Sequence, residues 1–362
     1  MTKSRRGNTK SGSRPGTKTK AGLRPAIAAK IAKPVKAGRF RALLNPGHSP
    51  MEHACAKHYT QTVLDPFNTE AGACVPMLPC LDSAKRKVFA RGTGMTQSSN
   101  GFGGIVASTS VTKDAPAVWY TDGSGTGDTL TATHNVAAYS NSELVNTDLT
   151  GGNVQARIVG CGIRLRYIGK QIDMSGRTFA LEEPNHLNTI NYTVANCQAL
   201  DRCKSKNLSR EWTVACWQPV RPGEQSYQMN ANAATDPVHY QPLCVLIQAQ
   251  AGQSLPFEWE WFCHYEAIGY GARGKSRSHV APIAGPKAIA ALQQTPSDVF
   301  DDVSNKRLSS GRLADNMISQ GSSFDWSKLA DTGLRVAQTA IGAVTSRAAA
   351  QYMSGGLAAL AL

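Results

Sequence analysis

The chain has 362 residues, 41% of them hydrophobic, and a formal net charge of +14. No run of about 18 apolar residues occurs, which excludes a membrane-spanning helix, and no secretory apolar region lies near Met1. The charge is uneven: residues 1–44 hold thirteen Lys and Arg and no Asp or Glu, so the rest of the chain is close to neutral.

The first segment, 1–44, is rich in Lys, Arg, Gly, Ser, Thr and Pro. It cannot bury enough surface to offset the entropy of ordering, and its like charges repel, so a disordered, extended arm is expected. Lys3, Arg5, Arg6, Lys10, Arg14, Lys18, Lys20, Arg24, Lys30, Lys33, Lys36, Arg39 and Arg41 can neutralise phosphates without reading base sequence. Nucleic-acid binding is the leading reading of the arm. A solubilising tail or an organellar transit peptide shares the same bias. Pro34 interrupts any helix over 26–44.

A loop-rich segment is expected over 45–99, leading into a β-rich body over 100–286. In RIVGCGIRLRYIG, Val159, Cys161, Ile163, Leu165 and Tyr167 alternate with Gly160, Gly162, Arg164 and Arg166, the period of a half-buried strand. Leu255, Phe257, Trp259, Trp261, Cys263 and Tyr265 share one face of a second strand, and Glu258, Glu260, His264 and Glu266 the other. The apolar run 242–250 before it, joined by AGQS, reads as its hairpin partner. Segments 115–122, 176–183 and 210–220 are further short strands, punctuated by Gly, Asn, Asp and Pro clusters. Many short strands without a long helix imply an all-β fold, a sandwich or jelly roll, with elaborated loops over 123–153 and 221–241.

The nine cysteines are scattered and contain no CxxC pair; several fall inside apolar strand patterns, where a buried thiol behaves as a small hydrophobe, and the chain reads as a protein of a reducing compartment, with zinc a weak alternative. HExxH, GxSxG and P-loop patterns do not occur, and the Gly-rich stretches 101–104 and 122–128 have no following helix to hold phosphate. A conventional enzyme is not indicated. The C-terminal region, 287–362, begins with a short helix over 287–294 and a polar, loop-like stretch. An amphipathic helix follows over about 324–353, with Leu329, Gly333, Val336, Ala337, Ala340, Ile341 and Val344 along one stripe. Such a helix can dock on its own domain or enter a bilayer interface.

Three stretches resemble nodavirus capsid proteins, alphanodavirus-related members in particular: 54–76, with its DPFNT string; 154–182, a strand-turn-strand; and 244–270, the last hairpin of the fold. The resemblance implies a single eight-stranded viral jelly roll. It implies a virion subunit, assembled in the host cytoplasm, of which many identical copies form a T=3 icosahedral shell around single-stranded positive-sense RNA, with the basic arm inside. A host membrane during entry and an unidentified receptor are the other partners it implies. Tombusvirus-like shells without cleavage share the fold and the arm, and a non-viral RNA-binding β-sandwich is a separate alternative.

The same resemblance implies a maturation self-cleavage. Asp65 stands where the family places a buried Asp that assists attack of an Asn side chain on its own peptide carbonyl. Desolvation raises such a carboxyl's pKa and lets it pass protons. The family's Asn-Ala pair is missing ahead of the C-terminal helix; Asn230-Ala231 and Asn232-Ala233 lie in a mid-body loop, and of the two upstream candidates, Asn305-Lys306 and Asn316-Met317, the second is better placed. Asp65 as the cap of a turn before Pro66 is the structural alternative. Calcium at subunit contacts is a further expectation, with Asp122, Asp128, Glu182 and Glu183 as unassigned candidates.

Overall fold

The structure, a computed structural model, describes residues 50–68, 75, 82–114, 116–131, 134–138, 140–219, 224, 226–227, 242–269, 275–277 and 281–326. The basic arm, nearly all of loop 221–241 and the amphipathic stripe from Leu329 onward lie outside these residues.

Among the described residues eleven strands form two antiparallel sheets. They are β1 (Asp82–Met95), β2 (Phe102–Ala107), β3 (Pro116–Tyr120), β4 (Asn135–Ala138), β5 (Val154–Tyr167), β6 (Arg177–Glu182), β7 (Lys204–Asn207), β8 (Thr213–Trp217), β9 (Leu243–Gln248), β10 (Pro256–Gly269) and β11 (Lys275–Arg277). One sheet has the order β11-β1-β10-β5-β8, the other β4-β3-β2-β9-β6-β7. The consecutive pairs β1/β2, β5/β6, β7/β8 and β9/β10 each divide between the two sheets, the signature of a jelly-roll-like sandwich.

This order corrects one expectation. β9 and β10 are not a hairpin: β9 pairs with β2 and β6, while β10 pairs with β1 and β5. Alternation tells which side chains of a strand face inward but not which strand lies beside it. The core between the sheets takes Ile163 and Leu165 from β5, Val245 and Ile247 from β9, and Phe257, Trp259, Trp261 and Tyr265 from β10.

The segment expected to be loop-rich contains a fifteen-residue helix, α1 (Pro50–Leu64), as well as β1. Its buried positions Glu52, Cys55, Ala56, Tyr59, Thr60, Val63 and Leu64 follow helical spacing. Two five-residue helices interrupt the sandwich, α2 (Asn146–Thr150) and α3 (Val194–Gln198). The short helix expected near 287–294 is α4 (Ala284–Leu292). The polar stretch after it is not loop but two helices, α5 (Ser297–Ser304) and α6 (Ser310–Gln320). Val299, Phe300 and Val303, then Leu313, Ala314, Met317 and Ile318, provide just enough apolar spacing to anchor each one.

Together α1, α4, α5 and α6 cover the outer face of the first sheet. Tyr59, Val63 and Leu64 of α1 share a cluster with Val159, Val214 and Phe262 of the sheet and with Val303, Leu313 and Met317. Glu52 links the layer's ends: its Oε1 accepts from the backbone N–H of Ile283 at 2.7 Å and of Ala284 at 3.0 Å, where α4 begins, an acidic side chain on a helix N-terminus. Cys55 is disulfide-bonded, so the reading of all nine cysteines as thiols is corrected there.

Candidate functional site

The outer face of the first sheet is charged rather than solvated. Opposed residues of β5 and β10 form cross-strand ion pairs: Arg166 with Glu258, Arg164 with Glu260, and Arg157 with Glu266. Arg164 Nε donates to Glu260 at 2.7 Å, Arg157 Nε to Glu266 at 2.6 Å, and Arg91 of β1 joins Glu260 at 3.0 Å. Arg164 also lies over the rings of Phe67 and Trp212, at 4.4 and 4.3 Å. The alternation of β10 therefore separates an apolar interior from a paired, charged floor beneath the helices.

That floor holds the DPF turn. Burial pushes the His264 imidazole down to about 4, so it is neutral near pH 7, and its Nε2–H donates to Pro66 O at 2.7 Å. Lys87 Nζ donates to Phe67 O at 3.1 Å, and the Phe67 ring meets Phe262 edge-on at 5.6 Å. Gly160 and Gly162 explain how close the helix can come. A Cβ at Gly160 would sit 2.8 Å from Thr62 O; one at Gly162 would sit 2.9 Å from Pro66 Cγ and 3.1 Å from Phe67 Cζ. The two glycines that read as the weak face of a strand form a furrow for α1 and its turn.

Asp65 closes this turn. It is 4% exposed, and both its oxygens accept from Asn68 Nδ2, at 3.0 and 2.8 Å. Burial pushes its carboxyl above the usual range, and the opposing pull of Asn68 and of the Arg164 guanidinium does not cancel that effect. Asp65 and Asn316 line one open pocket of about 760 Å³, with Asn68, Lys306, Arg307 and Arg312 around it. The two candidate residues, 251 positions apart in sequence, thus share a pocket. Asn316 does not lie in a loop, as the sequence suggested, but within α6. Its carbonyl accepts from Ser319 Oγ at 2.8 Å, and its neighbour Asp315 binds α1 through His53 Nε2 at 3.1 Å and Lys57 Nζ at 2.7 Å.

The acidic residues considered for calcium are dispersed. Asp122 accepts from Ser124 N at 3.0 Å, Asp128 is exposed, and Glu183 accepts from Asn185 N at 2.9 Å. Glu182 meets Arg202 at 3.0 Å and takes the Gln218 N–H. Among the described residues no group of three His, Cys, Asp or Glu is placed to hold a metal ion. The thirteen basic residues of the arm lie outside the described residues. Sequence reasoning missed Asn68, Lys87 and His264 as partners of the DPF turn. Asn68, three residues after Asp65, was the one local signal, since Asx side chains bond across such turns.

No family model matches the chain and no curated protein matches it. Among solved structures it is similar to infectious bursal disease virus Gt strain, at 8% identity over 69% of this chain and 100% of that one, with a TM-score of 0.46. It is similar to the semi-empty particle of Macrobrachium rosenbergii nodavirus at 11% identity over 50% and 94%, TM-score 0.26. It is similar to Mud crab tombus-like virus at 11% over 56% and 90%, TM-score 0.28. These scores are low, and the strand order itself carries the fold assignment.

Proposed function

We propose that the chain is a capsid subunit whose copies assemble into an icosahedral shell around single-stranded RNA. The observation that carries this reading is the strand order: β1-β10-β5-β8 faces β2-β9-β6-β7, the eight-strand arrangement of a viral jelly roll, with β3, β4 and β11 as edge additions. The charge distribution supports it. A near-neutral sandwich can tile without self-repulsion, while the basic residues from Lys3 to Arg41 neutralise phosphates inside. T=3 geometry is the form this reading takes. The stripe from Leu329 to Val344 supports contact with a host membrane after release.

The shared pocket of Asp65 and Asn316 supports a single-turnover self-cleavage within this reading. The Asn316 side-chain nitrogen attacks its own carbonyl carbon, closing a cyclic imide, and the bond to Met317 breaks. The leaving nitrogen takes a proton from Asp65, which burial keeps protonated to higher pH than a free carboxyl, and the proton lost by the Asn316 amide nitrogen restores the Asp65 carboxyl. The turn of α6 at Asn316 must unwind first, because the carbonyl is held by Ser319.

Negative-stain microscopy of the expressed chain tests the main reading. Uniform icosahedral particles containing host RNA are expected; a soluble monomer that binds RNA in a salt-dependent way contradicts it. Intact mass of aged particles tests the cleavage: a fragment of residues 317–362 is expected from the parent and none from Asp65→Asn. A parent chain that stays at its full 38.6 kDa rejects it.

A further inference from the structure

The outer face of the second sheet carries a thiol cluster that neither the shell reading nor the pocket uses. Cys244 lies in β9 between Val106 of β2 and Leu181 of β6, and its side chain turns away from the sandwich core into a cluster with Phe102, Leu130 and Leu246. α3 lies over that face. A Thr193–Asn196 capping box fixes its start, with Thr193 Oγ1 accepting from Asn196 N at 3.1 Å. The helix thereby lowers Cys197 onto Cys244, with the two sulfurs 3.6 Å apart and both residues 0% exposed. Cys203 is packed against the same cluster and is only half-buried. Successive turns connect it to the pair, Leu200 N to Cys197 O at 3.2 Å and Cys203 N to Leu200 O at 2.9 Å.

We propose that Cys197 and Cys244 form a disulfide on exposure to an oxidised low-molecular-weight disulfide, with Cys203 as the entry thiol. A disulfide bond is about 2.05 Å long, so the sulfurs need to close by about 1.5 Å. The end of a five-residue helix can yield that much. The exchange balances. The Cys203 thiolate attacks the small disulfide and expels one small thiol. Cys197 sulfur then attacks the Cys203 sulfur and expels the second. Cys244 sulfur finally attacks Cys197 and returns Cys203 as a thiol. Two protein thiols are oxidised, and one small disulfide is reduced to two thiols.

Burial makes this slow and pH-dependent. It pushes the Cys203 thiol up to about 11, and the Cys197 hydrogen bond together with burial raises the Cys244 thiol well above its ordinary value. Little thiolate exists at neutral pH, so the rate should rise about tenfold per pH unit between 7 and 9. A second thiol pair supplies the internal control. Cys161 and Cys263 are directly opposed in β5 and β10 and fully buried, and their neighbour Cys216 is buried too, so among the described residues no half-buried thiol leads to them. The bonded state of Cys55 is consistent with a fold that meets oxidising conditions.

The test uses the full chain, folded during incubation with oxidised glutathione, then denatured in guanidinium chloride with excess N-ethylmaleimide so that every remaining thiol is alkylated before non-reducing peptide mapping. It does not depend on the capsid reading, since free chain and assembled particles both serve. The expected result is a 197–244 cross-linked peptide, with Cys161, Cys203 and Cys263 alkylated. Linkage should raise the thermal midpoint by roughly 5–10 °C, reversed by reductant. Cys203→Ser should slow formation about tenfold without changing the product. Alkylated Cys197 and Cys244 after prolonged incubation, or a final linkage to Cys203, overturns the proposal. An unchanged rate in Cys203→Ser overturns the entry route.

Discussion

The two faces of β10 show how one strand can obey two different rules. Inward, Phe257, Trp259, Trp261 and Tyr265 are fully buried among apolar partners. Outward, Glu258, Glu260 and Glu266 meet arginines of β5, and His264 reaches a backbone carbonyl of the DPF turn. Both faces are covered, the inner by apolar side chains throughout and the outer by ion pairs set around one buried aromatic, Phe262. The inner face is held by area removed from water, which is tolerant of direction. The outer face is held by paired charges and hydrogen bonds, which are not: each group there costs stability when its partner is absent. An alternating strand thus marks where a polar layer will be clamped as well as where a core will form.

Substitutions on the two faces should separate these rules. Glu266 and Arg157 have fully buried side chains, so Glu266→Ala leaves a buried guanidinium uncompensated and should cost about 3–5 kcal/mol in chemical denaturation. Trp261→Ala on the inner face should cost a similar ~3–5 kcal/mol through its cavity. The double variant Arg157→Met/Glu266→Leu distinguishes the faces, recovering part of the loss because the uncompensated guanidinium is gone, while Lys85, 3.8 Å from Glu266, still loses that carboxylate. No recovery would show that the outer pair is held by something other than charge compensation.

The next effect is on pH. His264 titrates near 4 in the fold and near 6.5 unfolded. The unfolded chain therefore binds the extra proton first. Stability from this group is full above about pH 6.5 and is lost as pH falls toward 4, by on the order of 3 kcal/mol. Asp65, whose carboxyl is raised, acts in the opposite sense, since the fold takes up its proton earlier. His264→Gln should flatten the difference in urea midpoint between pH 7 and pH 4; an unaltered pH slope would dissociate His264 from acid lability.

Smaller effects follow at the furrow and at the rim. Gly162→Ala forces a methyl against Pro66, Phe67 and the Cys216 sulfur, and should cost about 1–3 kcal/mol. It should also shift the amide signals of Asp65 and Asn68 by lifting their turn. Arg166→Ala, whose side chain is 41% exposed, should cost less than about 1 kcal/mol despite its ion pair with Glu258. A larger loss would mean that its stacking on Trp212, at 4.5 Å, outweighs the charge.

Much of this contrast is legible in the sequence. The alternation of β10 names both faces correctly, and that of β5 does so from Cys161 to Tyr167; Val159 is expected on the inner face but lies in the outer cluster, because the register with β10 shifts between His264 and Tyr265. The Asp65 turn and Asn316 are identifiable before either has a place. Three things are not legible, each for a physical reason. α1 is polar enough, in HACAKHYTQT, that its spacing of Glu52, Ala56, Tyr59 and Val63 is weak as a periodic signal. Strand partners are set by sheet topology, so β9 and β10 look like neighbours in a hairpin although they lie in different sheets. Contacts across long separations, such as Glu52 with the start of α4 or Asp301 with Lys204 at 2.9 Å, leave no local trace.

The central claim is that a neutral sandwich builds the shell while the basic arm fills it. RNA retained after nuclease treatment, compared between the full chain and a form lacking residues 2–41, tests it most directly. The account predicts that the full chain yields uniform particles with nuclease-protected RNA. It predicts that the truncated chain still folds and assembles, into particles poor in RNA and uneven in size. Equal RNA protection by both forms, or two soluble monomers, would contradict it.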